Sequence, residues 1–107
     1  MHMRIITASF AVMALLASTA QAATLNVDQN NLKFSPNTLT VKAGDTVSYL
    51  NNDDVTHNIN VIDAEGDPDD KGLQKPKQTI TAKFDKPGEY QVRCAIHPKM
   101  KMTVTVQ

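Results

Sequence analysis

Cys94, His97, Met100 and Met102 place a thiol, an imidazole and two thioethers in one short stretch, CAIHPKMKM. A second imidazole, His57, stands upstream at the head of the run HNINVI. Thiolate and thioether sulfur favour copper(I), whereas imidazole accepts both copper oxidation states. Two imidazoles and one thiolate in a plane, with a weak axial thioether, make up the donor set of a blue-copper site. A bound metal would also occupy the solitary cysteine by deprotonating it. Each residue has a plainer reading. A lone cysteine is often a small buried hydrophobe, and histidines are common on surfaces. Met102 shares parity with Val104 and Val106, as a core residue of a strand would. The crowding of soft donors around turn-forming Pro98 favours the metal.

Other chemistries fit less well. Structural zinc prefers cysteine and histidine without a thioether. Covalent haem needs Cys-x-x-Cys-His, which the chain lacks. A dinuclear copper centre would need a second cysteine, and a cysteine–histidine hydrolase a third orienting group. The residues therefore point to a metal-binding protein and not to an enzyme.

The elements that must position these donors read as strands. Thr38–Val41 alternates polar and apolar residues and is followed by turn chemistry in Lys42–Asp45. Val47 and Tyr49 share one face of the next run, and Asn51–Asp54 makes another turn. Gln78–Phe84 places Ile80, Ala82 and Phe84 together before Lys86-Pro87-Gly88 breaks the strand. Tyr90, Val92 and Cys94 then share a face, and Thr103–Val106 is rich in β-branched residues. Short strands separated by turn signals predict an all-β sandwich or barrel in one domain, with no internal repeat.

The segment 63–77, DAEGDPDDKGLQKPK, is polar and broken by Gly and Pro, and is expected to be a long loop. Its spacing Asp63-x-Glu65-x-Asp67 is faintly like a calcium loop. Pro68 and Gln74 replace the glycine and glutamate such a loop needs, so a solvated loop is the reading.

At the N-terminus, Arg4 precedes the apolar run Ile5–Leu16 and the small-residue signature Ala20-Gln21-Ala22. Residues 1–22 read as a secretory signal cleaved after Ala22. The apolar run is too short for a membrane-spanning helix. Residues 23–107 form the expected domain, exported to the periplasm, with no membrane insertion after cleavage. The whole chain has 11 basic and 11 acidic residues; removing Arg4 leaves 10 and 11, a formal charge of −1. That balance gives no nucleic-acid footprint.

Cys94-x-x-His97-x-x-Met100, with Gly88-Glu-Tyr90 before it and Thr56-His57-Asn58 upstream, resembles the cupredoxins. Phe34-Ser-Pro36, the Lys42-Ala-Gly44-Asp45 turn and Val104-Thr-Val106 extend the resemblance over nearly all of 23–107. It is similar above all to the amicyanin and pseudoazurin-like proteins, with plastocyanin further off. The resemblance implies a Greek-key β-sandwich holding one mononuclear type 1 copper through His57, Cys94, His97 and Met100. Family members place the axial methionine two or four residues after the loop histidine, so Met100 and Met102 both have a family spacing. Counting back from the closing valine strand selects Met100, with Met102 as the alternative. Asn58 matches the asparagine that ties the histidine strand to the ligand loop. Its usual hydroxyl partner is Ala95 here, so a bond to backbone is expected instead. Ile96 replaces a frequent proline, which frees a backbone N–H near the sulfur. The implied function is one-electron transfer by a monomer with transient redox protein partners. They would dock at an apolar rim where His97 surfaces beside Ile96 and Pro98, while the 63–77 loop steers the encounter. Copper delivery by a carrier or buffer is the alternative.

Overall fold

The computed structural model describes residues 21–107, so all but the end of the expected signal segment 1–22 lies outside the described residues. Nine strands run in chain order: β1 (Thr24–Asn30), β2 (Lys33–Ser35), β3 (Thr38–Val41), β4 (Asp45–Asn51), β5 (His57–Ile62), β6 (Pro68–Gln74), β7 (Thr79–Phe84), β8 (Gly88–Cys94) and β9 (His97–Val106). They form two sheets, ordered β2-β1-β4-β7 and β3-β9-β8-β5-β6. The pairs β1–β4 and β3–β9 are parallel, and the other neighbours are antiparallel. The chain thus passes repeatedly between the sheets, as the expected sandwich requires. Among the described residues no helix is long and apolar enough to cross a membrane.

Alternation fixes which side chains meet between the sheets. Val27, Val47, Tyr49, Ala82 and Phe84 line one inner face; Ile59, Val61, Val92, Val104 and Val106 line the other. Phe34 meets Tyr49 edge-on, with ring centroids 6.1 Å apart. Tyr90 packs edge-on against Phe84 at 5.2 Å and donates its hydroxyl to the Lys86 carbonyl at 2.8 Å, fixing the corner between β7 and β8. Cys94 continues the buried parity of Val92, so the core ends on a sulfur.

The expected loop at 63–77 is corrected. Pro68–Gln74 forms the edge strand β6, which pairs with β5 from His57↔Gln74 to Ile62↔Pro68. An edge strand has one neighbour and carries charge on its open side, so it lacks the apolar alternation that marks an inner strand. Only Gln74 in β6 is fully buried. Asp63 accepts the N–H groups of Glu65 and Asp67, so the acidic motif builds its own turn. That turn follows Ile62, whereas His57 begins β5. About 17 Å of strand, at 3.3–3.4 Å per residue, lies between them.

β9 begins earlier than the β-branched run Thr103–Val106 suggests. It starts at His97 and pairs with β8 from there.

One carboxylate pins the start of the fold. Asp45 accepts the backbone N–H groups of Ala23 at 2.8 Å and Lys42 at 2.9 Å. These bonds hold its carboxyl below the ordinary aspartate range. A depressed folded value means that the stabilisation is present above the unfolded pKa of about 3.9 and is lost as pH falls through the folded value. Asp45→Asn should therefore lower the urea midpoint at pH 7, and the gap from the unmodified protein should close below about pH 4. A gap that persists undiminished at pH 3 contradicts this role.

Candidate metal centre

Three strand ends converge at one end of the sandwich. β5 begins with His57, β8 ends with Cys94, and β9 begins with His97 after the two-residue turn Ala95-Ile96. His57 Nδ1 and His97 Nδ1 are 3.1 Å apart. Cys94 Sγ lies 3.8 Å from the first and 3.5 Å from the second. The two rings meet nearly edge to face, at 75°. Donors bound at about 2.0–2.3 Å around one first-row ion stand about 3–4 Å apart, so these separations fit a single metal. The same three residues form the described cluster of metal-ligating type.

The protonation pattern also fits. His57 is fully buried, and its Nε2–H donates to Asp53 Oδ2 at 2.7 Å. Burial alone would raise the Asp53 carboxyl. The hydrogen bonds from His57 and from the backbone N–H groups of Leu32 and Asn31 outweigh it and leave the group below the ordinary range. An ionised carboxylate can only accept, so Nε2 carries a proton, and a neutral ring then turns its Nδ1 lone pair to the cluster. A metal-bound histidine needs that orientation, and an outer carboxylate commonly enforces it.

Asp53 is in turn held in place. Asn51, fully buried, accepts the Asp53 N–H and donates to the carbonyls of Val55 and Gln74. Asp53 also accepts from Asn31 at 2.7 Å and Leu32 at 3.0 Å, both at positive φ in the β1–β2 turn. One aspartate therefore joins the β1–β2 turn to the buried imidazole. It is the functional residue that sequence reasoning missed. The Asn51–Asp54 turn was legible, but nothing in NNDD says which acid turns inward.

Asn58 ties the other side. Its side-chain oxygen accepts the Ala95 N–H at 2.9 Å, the backbone bond expected in place of a hydroxyl partner. Its side-chain amide donates to Asp70 and to the Gly72 carbonyl, so β6 braces the ligand loop. The N–H that donates to Cys94 Sγ, at 3.3 Å, is that of Asn58 on β5 and not the Ile96 N–H that the missing proline suggested.

Met100 and Met102 are both buried and share one parity. Register separates them. Met102 lies opposite Val92 inside the core, whereas Arg93↔Lys101 is followed directly by Cys94↔His97. Residues 98–100 therefore bulge out of the ladder beside the cluster. Met100 lines the same open cavity as His97, together with Leu32, Ile96 and Pro98. Ile96 is 49 % exposed and Leu32 47 %, so His97 reaches an apolar rim as expected.

The fold and this donor set define a small copper-binding β-sandwich. Residues 21–107 match the family of copper binding proteins of the plastocyanin/azurin type, and the chain belongs to that family. Over 93 residues it is 41 % identical to the chloroplastic plastocyanin of Tetradesmus obliquus, covering 77 % of this chain and 63 % of that protein. It is 34 % identical over 104 residues to amicyanin-alpha of Methylorubrum extorquens, covering 94 % and 87 %. The solved structure of a reduced amicyanin carrying one tryptophan-to-tyrosine substitution superposes with a TM-score of 0.72 at 30 % identity, over 85 % of this chain and 88 % of that one.

Asp53→Ala would leave the buried Nε2–H of His57 without its acceptor. Loss of such an outer partner typically weakens metal binding 10- to 100-fold. Competition titration with a copper chelator should show a loss of about that size, and an unchanged affinity would contradict the orienting role. Asn58→Ala, which unties Ala95 from β5 and β6, should lower stability by about 1–3 kcal/mol in urea unfolding.

Proposed function

We propose that this chain is an exported electron carrier in which His57, Cys94 and His97, with Met100, would hold one copper ion. When bound, copper supplies one-electron chemistry between Cu(I) and Cu(II). The observation that carries this reading is that the donors stand 3.1–3.8 Å apart, fastened from behind by Asp53 and Asn58. Rigid placement suits electron transfer, because a site that need not rearrange adds little to the barrier for moving an electron. The Asn58 N–H at the sulfur stabilises thiolate charge and tunes the site through its hydrogen bonding.

His97 gives the electron its route. Cys94 and His57 are buried, whereas His97 is partly exposed within the apolar rim of Leu32, Ile96 and Pro98. No bond forms or breaks in the protein; the partner needs only to bring its own redox group against that rim. Such contacts are small and short-lived. The similarity to plastocyanin and amicyanin supports electron transfer, and the 1–22 segment supports a periplasmic location. The working form is a monomer, with no membrane or nucleic-acid partner. Copper delivery by the same ligands remains the rival function, but three of its four donors are buried, and a carrier must release its ion readily.

Residues 23–107 loaded with Cu(II) should show an intense blue charge-transfer absorption and narrow copper hyperfine splitting in EPR. Cys94→Ser should abolish both, and Met100→Leu should shift the band while Met102→Leu leaves it in place. A colourless protein that binds only Cu(I) would contradict electron transfer and favour delivery. A spectrum altered only by the Met102 change would move the axial role to Met102.

A further inference from the structure

Four cations crowd the flank of the apolar rim. Lys33, Arg93, Lys99 and Lys101 are all exposed. Arg93 and Lys101 lie directly opposite each other across β8 and β9, and Lys99 shares the outward parity of Lys101. Lys33 reaches the same place from the other sheet: with Lys99 and Lys101 it borders a shallow cavity lined also by Phe34 and Met100. Like charges directly opposite in a strand pair are destabilising.

None of the four makes an ion pair, although Asp28 stands diagonally across from Lys33 and Asp70 shares the outward row of Asn60, Arg93 and Lys101. Among the described residues the ion pairs within 4.0 Å are His57–Asp53, Lys71–Asp69 and Lys83–Asp85. Asp53, the acid closest to the rim, is turned onto His57, Asn31 and Leu32. Asp54 is the exposed acid left in its loop. Asp63, Glu65 and Asp67 form the turn at the far end of β5. Unpaired cations therefore gather at the electron-exit face although residues 23–107 carry a formal charge of −1.

We propose that Lys33, Arg93, Lys99 and Lys101 form a docking surface for a protein partner whose redox centre lies behind an apolar patch rimmed by Asp and Glu side chains. The surface rests on the electron-transfer reading. The apolar rim around His97 makes the close contact, while the cations draw in and orient an acidic partner before contact. The acidic turn Asp63–Asp67 does not steer here, because it lies at the far end of β5; only the other end of the 63–77 segment reaches the site, where Gln74 pairs with His57. Clustered charge of one sign acts over a Debye length, about 30 Å at 0.01 M salt and 10 Å at 0.1 M. It raises encounter rates by 10- to 1,000-fold in favourable cases.

The test uses the copper-loaded protein in two measurements. First, the Cu(I) form is oxidised by hexacyanoferrate(III), which accepts one electron from the site and becomes hexacyanoferrate(II). The rate should fall as salt is raised, and Lys33→Gln, Lys99→Gln, Lys101→Gln and Arg93→Gln should each lower it at least about twofold at low salt. Lys86→Gln, in the β7–β8 turn, should leave it unchanged. Second, hexa-glutamate peptide added to the diamagnetic Cu(I) form should shift the NMR signals of Leu32, Lys33, Arg93 and Ile96–Lys101, and the four variants should weaken those shifts. Oxidation that is independent of salt, or peptide shifts centred on Lys71, Lys83 or Lys86, would overturn the docking surface while leaving electron transfer intact. So would binding to phosphatidylglycerol vesicles with no response to the peptide. Failure of the wild-type protein to transfer an electron at any salt would instead overturn the reading beneath it.

Discussion

A fully buried histidine must satisfy both ring nitrogens, and the rest of the site follows from how His57 does so. Its Nε2–H is taken by Asp53, which leaves the Nδ1 lone pair facing His97 Nδ1 and Cys94 Sγ. A buried polar atom without a partner costs about 1–3 kcal/mol. A cation bound among His57 Nδ1, His97 Nδ1 and Cys94 Sγ would satisfy all three atoms at once. The packing thus brings three metal-binding atoms together. Asp53, Asn51 and the β1–β2 turn supply the backing from one sheet, and Asn58 with β6 supplies it from the other.

The division of labour between the sheets follows from this. Below the site, alternating Val, Ile, Phe and Tyr side chains make an ordinary sandwich core, and Cys94 is its last member. Above it, the chain departs from strand regularity: the bulge at residues 98–100 sets Met100 in the cavity that His97 lines, and the short turn Ala95-Ile96 presents His97 to the surface. The core lies below, and the irregular end provides the donors and the apolar rim.

Much of this was legible in the sequence. The soft donors cluster so closely that a metal followed from residue types alone, and strands β3, β4, β7 and β8 followed from alternation and turn residues. Three features were hidden for physical reasons. β6 is a charged edge strand with a single hydrogen-bonded neighbour, so composition made it look like a loop. Asp53 is indistinguishable from Asp54 until the turn closes and directs one inward. Met100 and Met102 share parity and burial, and only the register of β8 against β9 separates them. Alternation reports faces and turns, but it does not report which irregularity breaks the ladder.

The central claim is that Asp53 and Asn58 fasten the donors in one arrangement that does not depend on the metal. The most direct measurement is a pair of crystal structures of residues 23–107, one metal-free and one loaded with Cu(II), compared at His57 Nδ1, Cys94 Sγ and His97 Nδ1. A preorganised site should keep the three donors within about 0.5 Å of the same positions in both, with the Asp53–His57 bond intact. Donors that lie apart in the metal-free crystal, or a His57 ring that has left Asp53, would show that the metal builds the site, and would contradict the account.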